Sequence, residues 1–187
     1  MADTRFEFVS KYNSCGLALP ERKTQYSAGY DLAAAQDIII PSCLKLIGKL
    51  EDELGLRNWG MLPTTLTLDQ LGKITKETGI KPTLVSTGLK CYLQDDEYLE
   101  LSVRSSTPLK YWLILANGVG IIDSDYVDNP ENEGEIFLQM INLGPVDIQI
   151  KKGDIIGQGI IKRYFITNYD KASGLRTGGF GSTSKEN

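Results

Sequence analysis

The stretch VDIQIKKGD, Val146 to Asp154, decides how the chain is read. Val146, Ile148 and Ile150 alternate with Asp147, Gln149 and Lys151, a period of two that places the apolar side chains on one face of an extended strand, and KKGD closes it with a turn. The same alternation recurs in YLELSV (98–103), where Leu99, Leu101 and Val103 oppose Glu100 and Ser102. Further strands are expected in RFEFVS (5–10), DIII (37–40), TLVSTGLKCYL (83–93), WLILA (112–116), EIFLQMI (135–141) and IIGQGIIKRYF (155–165), with a turn at QDDE (94–97). Many short strands without intervening helices predict an all-β chain folded as an antiparallel jelly roll or β-barrel-like structure.

One region departs from this period. From Ser42 to Gly55, Cys43, Ile47, Leu50 and Leu54 recur at helical spacing, with Ser42 as N-cap and Gly55 as the stop. A second short helix is expected over Leu68 to Thr78: Thr67 and Gln70 have capping-box spacing, Leu68, Leu71 and Ile74 form one stripe, and Gly79 follows. Residues 42–80 therefore read as a short helical insertion in a single β domain, 1–175, followed by the glycine-rich tail 176–187.

With 187 residues, 41% of them apolar, the chain buries one good core. No apolar run approaches the roughly 20 residues that cross a bilayer, and MADTRFEF lacks the basic and apolar regions of a signal peptide, so a cytoplasmic protein without membrane contact is expected. Three dispersed cysteines, Cys15, Cys43 and Cys91, offer neither a disulfide framework nor a zinc knuckle. The absence of histidine excludes Ser-His-Asp and Cys-His schemes and histidine-ligated zinc, leaving carboxylates, hydroxyls, Arg, Lys and a hard metal to do any chemistry. A net charge of −4 without a basic cluster argues against a nucleic-acid polymer as partner.

Four stretches carry residues that strand geometry does not demand. AGYDLAA puts Asp31 between a glycine and small residues. VRSST puts Arg104 beside Ser105 and Ser106, which alone reads as a surface turn but also suits a phosphate. NGVGIIDSDY sets Asp123 and Asp125 either side of a serine after an apolar run; an acidic hairpin end and a catalytic pair are both open readings, and a turn would part the two side chains. The tail RTGGFGSTSKEN combines Arg176, Phe180 and glycines whose N–H groups can approach a phosphate, although such termini are commonly just frayed.

Taken together and in order, AGYDL (28–32), RSS (104–106), NGVGIIDSDY (117–126) with GEI (134–136), KGDIIGQ (152–158) and RTGGFGST (176–183) resemble the five motifs of the homotrimeric dUTPases. The resemblance runs from about residue 20 to the C-terminus and omits the insertion. It implies Mg²⁺-dependent hydrolysis of dUTP to dUMP and pyrophosphate, which limits uracil in DNA and supplies dUMP for thymidylate. It implies Asp123 as the general base that holds the attacking water, ionised at neutral pH as carboxylates are. Asn117, with Gly120, Ile121 and Ile122, would take the uracil edge, and Tyr126 would pack under the deoxyribose and refuse a 2′-hydroxyl. Arg104, Ser105, Ser106 and Gln158 would hold the phosphates, and Asp31 would hold a water of the Mg²⁺, with no direct protein ligand to the ion. Residues 176–187 would be a flexible lid over a neighbouring subunit's site, in which Phe180 stacks on uracil, Arg176 reaches the outer phosphate, and Gly181, Ser182 and Thr183 complete the cradle. Each site would be built from three chains.

Two departures from the pattern stand out. VDNPENE (127–133) lengthens a hairpin where the family has a single residue; Asp128, Glu131 and Glu133 read as a solvated loop in preference to a second metal site. The insertion at 42–80 reads as a surface decoration or, if its apolar stripe is exposed, as a dock for a protein partner. Similar segments occur in phage-encoded and related bacterial members, which implies a bacterial cell and a prophage-encoded chain. Two rival functions share the fold: a dCTP deaminase, disfavoured because Asp123 and Tyr126 stand at the hydrolase positions, and a nucleotide-responsive regulator that binds a partner.

Overall fold

The computed structural model describes residues 3–46, 48, 67–174, 176, 178 and 179. Among them the strands are β1 (Arg5–Phe8), β2 (Tyr30–Ala33), β3 (Ile38–Ile40), β4 (Thr83–Ser86), β5 (Leu89–Tyr92), β6 (Glu97–Ser102), β7 (Leu113–Leu115), β8 (Gly120–Asp123), β9 (Phe137–Asn142), β10 (Ile148–Ile150) and β11 (Ile155–Arg163). Two helices join them, α1 (Leu68–Thr78) and α2 (Ser106–Tyr111). The strands form a four-stranded sheet, β2-β11-β6-β8, a three-stranded sheet, β4-β9-β7, and the pairs β1-β5 and β10-β3. Every ladder among these elements is antiparallel, as an all-β jelly-roll-like fold requires.

Period-two patterning explains which faces meet. In β6, Leu99 and Leu101 are buried while Glu100 and Ser102 are half-buried, and they join Leu32, Ile122, Ile136, Leu138 and Met140 in one core cluster. The expected strand around Val146 starts later: β10 begins at Ile148, and Val146 is 64% exposed. The reason is the turn at 143–147, which the buried Asn142 holds by donating from Nδ2 to Ile40 O (3.1 Å) and Val146 O (2.8 Å) and accepting from Gly144 N–H (2.8 Å). At the other end of β10, Asp154 N–H donates to Lys151 O (3.0 Å), the expected KKGD turn.

Helix α1 spans the residues its caps predict. Thr67 and Gln70 exchange both capping-box bonds, and Gly79 closes the helix in the left-handed region at φ 67°. Its stripe is not a core, because α1 has no buried residue and Leu68 is 87% exposed. The first predicted helix starts at its cap, with residues 43–46 helical and Ser42 Oγ accepting from Leu44 N–H (3.2 Å); Ile47, Leu50, Leu54 and Gly55 lie outside the described residues. No helix of the described residues is long and apolar enough to cross a membrane.

Candidate active site

The site residues fall into two groups fixed by β6. Along most of its length β6 pairs with β8, so that Asp123 lies opposite Tyr98 near one end and Gly120 opposite Leu101 near the other. The chain enters β8 through a tight turn in which Gly118 N–H donates to Leu115 O (3.1 Å) and Val119 N–H to Asn117 O (2.7 Å). Asn117, Gly120, Ile121 and Ile122 line one cavity of about 30 Å³ together with Leu101 and Phe137. The structure thus brings together the four residues expected to read a base, with Asp123 at the end of the same strand.

Asp123 leaves the strand into a 3₁₀ turn, Ser124–Tyr126. That turn does not part the two carboxylates: Arg176 spans them, donating from Nη2 to Asp123 Oδ2 (2.6 Å) and from Nε to Asp125 Oδ1 (2.8 Å). The guanidinium is only 12% exposed while both carboxylates are more than half open, and its carbon lies 5.5 Å from the centroid of the Tyr126 ring. Tyr126 is buried; its hydroxyl donates to Glu135 O (2.9 Å) and accepts from Asn132 Nδ2 (2.8 Å). Burial pushes the phenol up from its ordinary value, with the Asn132 hydrogen bond and the Arg176 charge working against it.

At the other end of β6 stands the second group. In the register of three adjacent strands, Gln158 of β11 faces Asp31 of β2 on one side and Ser102 of β6 on the other. Gln158 Nε2 donates to Ser102 Oγ (3.2 Å), and its side chain crosses close over Gly29 of AGYDL. Arg104, just past β6, turns Nε to 3.6 Å from Asp31 Oδ1. Asp31 is 11% exposed in its side chain, and its Oδ2 is buried with no hydrogen-bond partner. A carboxylate oxygen is acceptor-only, so this atom calls for a donor that the described residues do not provide. Ser105 and Ser106 follow at the start of α2, a helix that TPLKY conceals in sequence because its proline is legible only as tolerated in a first turn. Phe180, Gly181, Ser182 and Thr183 lie outside the described residues.

The 127–133 segment is exposed at Asp128 and Glu131, as a solvated loop is, but its acids are tied to other parts of the chain. Asp128 accepts from Lys90 Nζ (2.5 Å) and Tyr92 OH (2.8 Å), Glu133 accepts from the N–H and hydroxyl of Ser10, and Glu131 accepts from Gly179 N–H (2.6 Å). Burial disfavours ionisation of Asp128, yet Lys90 and Tyr92 outweigh it and hold the carboxyl below its usual value. Within the segment the buried Asn129 donates to Tyr126 O (2.8 Å). Among the described residues no group of three metal-ligating side chains forms. The overlooked signal is N-P-x-N, a turn-forming pair of asparagines.

The dUTPase family model matches residues 73–184. Over 181 residues the chain is 36% identical to the deoxyuridine 5′-triphosphate nucleotidohydrolase of Lactococcus lactis, covering 95% of both chains. The crystal structure of the dUTPase from Streptococcus mutans is similar at a TM-score of 0.64 and 32% identity, over 87% of this chain and 98% of that one. The fold is also that of a dUTPase variant from phage phi11 of Staphylococcus aureus, a structure concerned with coordination of a structural Mg(II) ion, at a TM-score of 0.58 and 13% identity over 93% and 99% of the two chains. With relatives matched along nearly their whole length, the chain belongs to the dUTPase family and is a dUTP diphosphatase, hydrolysing dUTP to dUMP.

Proposed function

We propose that Asp123 is the general base, holding the water that attacks the α-phosphorus of dUTP in line and taking its proton. The observation that carries this reading is the placement of an open carboxylate at the end of the strand whose other residues, with Asn117, line the base cavity. Asn117 and the backbone of Gly120, Ile121 and Ile122 take the uracil edge, and Tyr126 forms the floor beneath the deoxyribose. Arg104, Ser105, Ser106 and Gln158 hold the phosphates near the scissile bond.

Mg²⁺, when bound, neutralises the triphosphate and draws charge from the leaving pyrophosphate. The partnerless Oδ2 of Asp31 fits a hydrogen bond from a metal-bound water, the mode that Mg²⁺ favours because it keeps several waters. Arg176 exchanges the two aspartates for the outer phosphate as the tail closes; Phe180 then covers the uracil, and Gly181, Ser182 and Thr183 complete the cradle.

Each site is shared among copies of the chain in a homotrimer. Asp123 lies opposite Tyr98, whereas Gln158 lies opposite Ser102, four residues further along β6, so about 13 Å of strand separates Asp123 from the phosphate group within one chain. A second copy brings the phosphate group to Asp123, and the tail that closes a site belongs to a neighbouring subunit. The enzyme works in the cytoplasm of a bacterial cell, where it limits uracil in DNA and supplies dUMP for thymidylate.

Pyrophosphate release measured with each dNTP and with UTP tests this reading. Turnover confined to dUTP and abolished by chelation of Mg²⁺ is expected; dominant turnover of another nucleotide, or ammonia release from dCTP, overturns it. A second role, docking of a protein partner at 42–80, is favoured by the exposure of Leu68 and Leu71 (49%) along α1. Replacing both leucines with glutamate should leave hydrolysis unchanged and abolish such docking.

A further inference from the structure

Tyr126 is held from a direction that the family's motifs do not supply. The lengthened hairpin folds back on the turn that carries it: Asp128 N–H donates to Glu133 O (3.1 Å), Glu133 N–H to Asn129 O (2.9 Å), and Glu135 N–H to Asn132 O (3.0 Å). Gly134, at φ 81°, packs so closely on Tyr126 that a Cβ would meet its carbonyl oxygen at 2.8 Å. Two asparagines then fix the tyrosine itself. Asn129 donates to the Tyr126 carbonyl (2.8 Å), and its own Oδ1 accepts the N–H groups of Glu131 (3.1 Å) and Asn132 (3.2 Å). Asn132 donates from Nδ2 to the Tyr126 hydroxyl (2.8 Å).

The amide of Asn132 has only one workable orientation. Its Oδ1 accepts from Asn129 Nδ2 (2.7 Å) and from Gly134 N–H (3.1 Å), so a flipped amide would set donor against donor at two places. The Nδ2 donor is therefore aimed at the phenol oxygen. That hydroxyl has its single hydrogen engaged by Glu135 O, and Asn132 fills an acceptor site, which leaves the ring tethered on both sides of its far end.

We propose that Asn132 is a positioning residue for sugar selection, acting through the Tyr126 hydroxyl; this rests on the reading of Tyr126 as the floor under the deoxyribose. A ring excludes a 2′-hydroxyl only if it does not yield when pressed, because a small outward tilt makes room for one oxygen. Packing on the ring face resists sliding, but the tilt is resisted at the phenol oxygen, where Asn132 and Glu135 O act. Loosening one of these tethers admits UTP while leaving dUTP, which does not press on the ring, nearly unaffected.

The test compares kcat/KM for dUTP and for UTP in Asn132→Ala, Asn132→Asp, Tyr126→Phe, Tyr126→Ala and the double variant Asn132→Asp with Tyr126→Phe, each checked by thermal unfolding. Asn132→Asp keeps the acceptor that Asn129 and Gly134 use and replaces the donor to the phenol by an acceptor, which the Tyr126 hydroxyl can meet only by giving up Glu135 O, so one of the two tethers is lost either way and the variant serves where Asn132→Ala fails to fold. Expected is a fall in dUTP-over-UTP selectivity of about tenfold, the worth of one lost hydrogen bond, arising from faster UTP turnover, with the double variant no less selective than either single one. Additive losses in the double variant, or equal losses for both nucleotides, overturn the proposal, since a merely structural role moves both together. If Tyr126→Ala destroys selectivity while both Asn132 variants keep it, the Asn132 proposal alone fails; if Tyr126→Ala keeps selectivity, the reading of the tyrosine fails with it.

Discussion

As the proposed base Asp123 must be open, and the fold leaves it so by ending β8 at the residue before the 3₁₀ turn. Asp123→Asn keeps the shape and removes the proton acceptor, so kcat should fall by roughly 10²–10⁴-fold while dUTP binding survives. Pyrophosphate release and calorimetric titration check the two halves, and parallel loss of binding would assign Asp123 to substrate binding instead of base catalysis. Cys91 shows the opposite environment: burial pushes its thiol up to about 12, so it stays protonated and shielded. Alkylation of the native protein followed by peptide mass spectrometry should label the half-buried Cys15 and Cys43 and spare Cys91. A raised thiol pKa stabilises the fold below the ordinary value and loses that contribution as pH climbs from 9.0 towards about 12. At this scale Asp123, Asn117 and Gln158 were legible because local spacing sets their chemistry. Asp128 and Glu133 were not, since their partners Lys90, Tyr92 and Ser10 lie 38, 36 and 123 residues from the residues they bind, and Asn132 was not, since its bond to the Tyr126 hydroxyl depends on how the lengthened hairpin folds back.

Among the elements, α1 was legible to the residue because its signals are local: a capping box at one end, a left-handed glycine at the other. What its stripe faces is a tertiary matter: Leu68 and Leu71 are exposed and Ile74 is half-buried. With no buried residue to hold it, α1 depends on its caps, so Thr67→Ala should cost about 1 kcal/mol locally. Hydrogen exchange of the first-turn amides should quicken about fivefold, with turnover unchanged. The strands were legible wherever one face is buried; β2 was hidden because small residues around Tyr30–Ala33 carry little alternation, and α2 because six residues are too few to show a helical period. The 127–133 hairpin has its own signature in pH. Its ties hold Asp128 below the usual carboxylate value, and Glu133 is lowered by its bonds to Ser10. Both are depressed in the folded state, so they stabilise the hairpin above the ordinary carboxylate range and release it as pH falls through their lowered values. Asp128→Asn should flatten the acid limb of thermal stability, and an unchanged limb would show the Lys90 tie to be idle.

For the whole molecule, the separation of Asp123 from the phosphate group along β6 is a statement about assembly. The proposed trimer draws one site from different chains, and the exposed apolar surface, with Phe165 at 99% and Leu109, Ile166 and Tyr169 also bare, offers other copies something to cover. Shared sites of this kind have a consequence that self-contained ones cannot imitate. A chain carrying Asp123→Asn still lends Arg104 to a neighbour, and a chain carrying Arg104→Ala still lends Asp123. Each variant alone should be inactive, but an equal mixture refolded together should form sites that draw both intact residues from different chains. With random assembly about one site in four is whole, so about a quarter of wild-type dUTP turnover should return. Refolding the variants separately before mixing should return much less, until subunits exchange. A co-refolded mixture that sediments as mixed oligomers and stays inactive would place Asp123 and Arg104 in one chain's site, contrary to the β6 register.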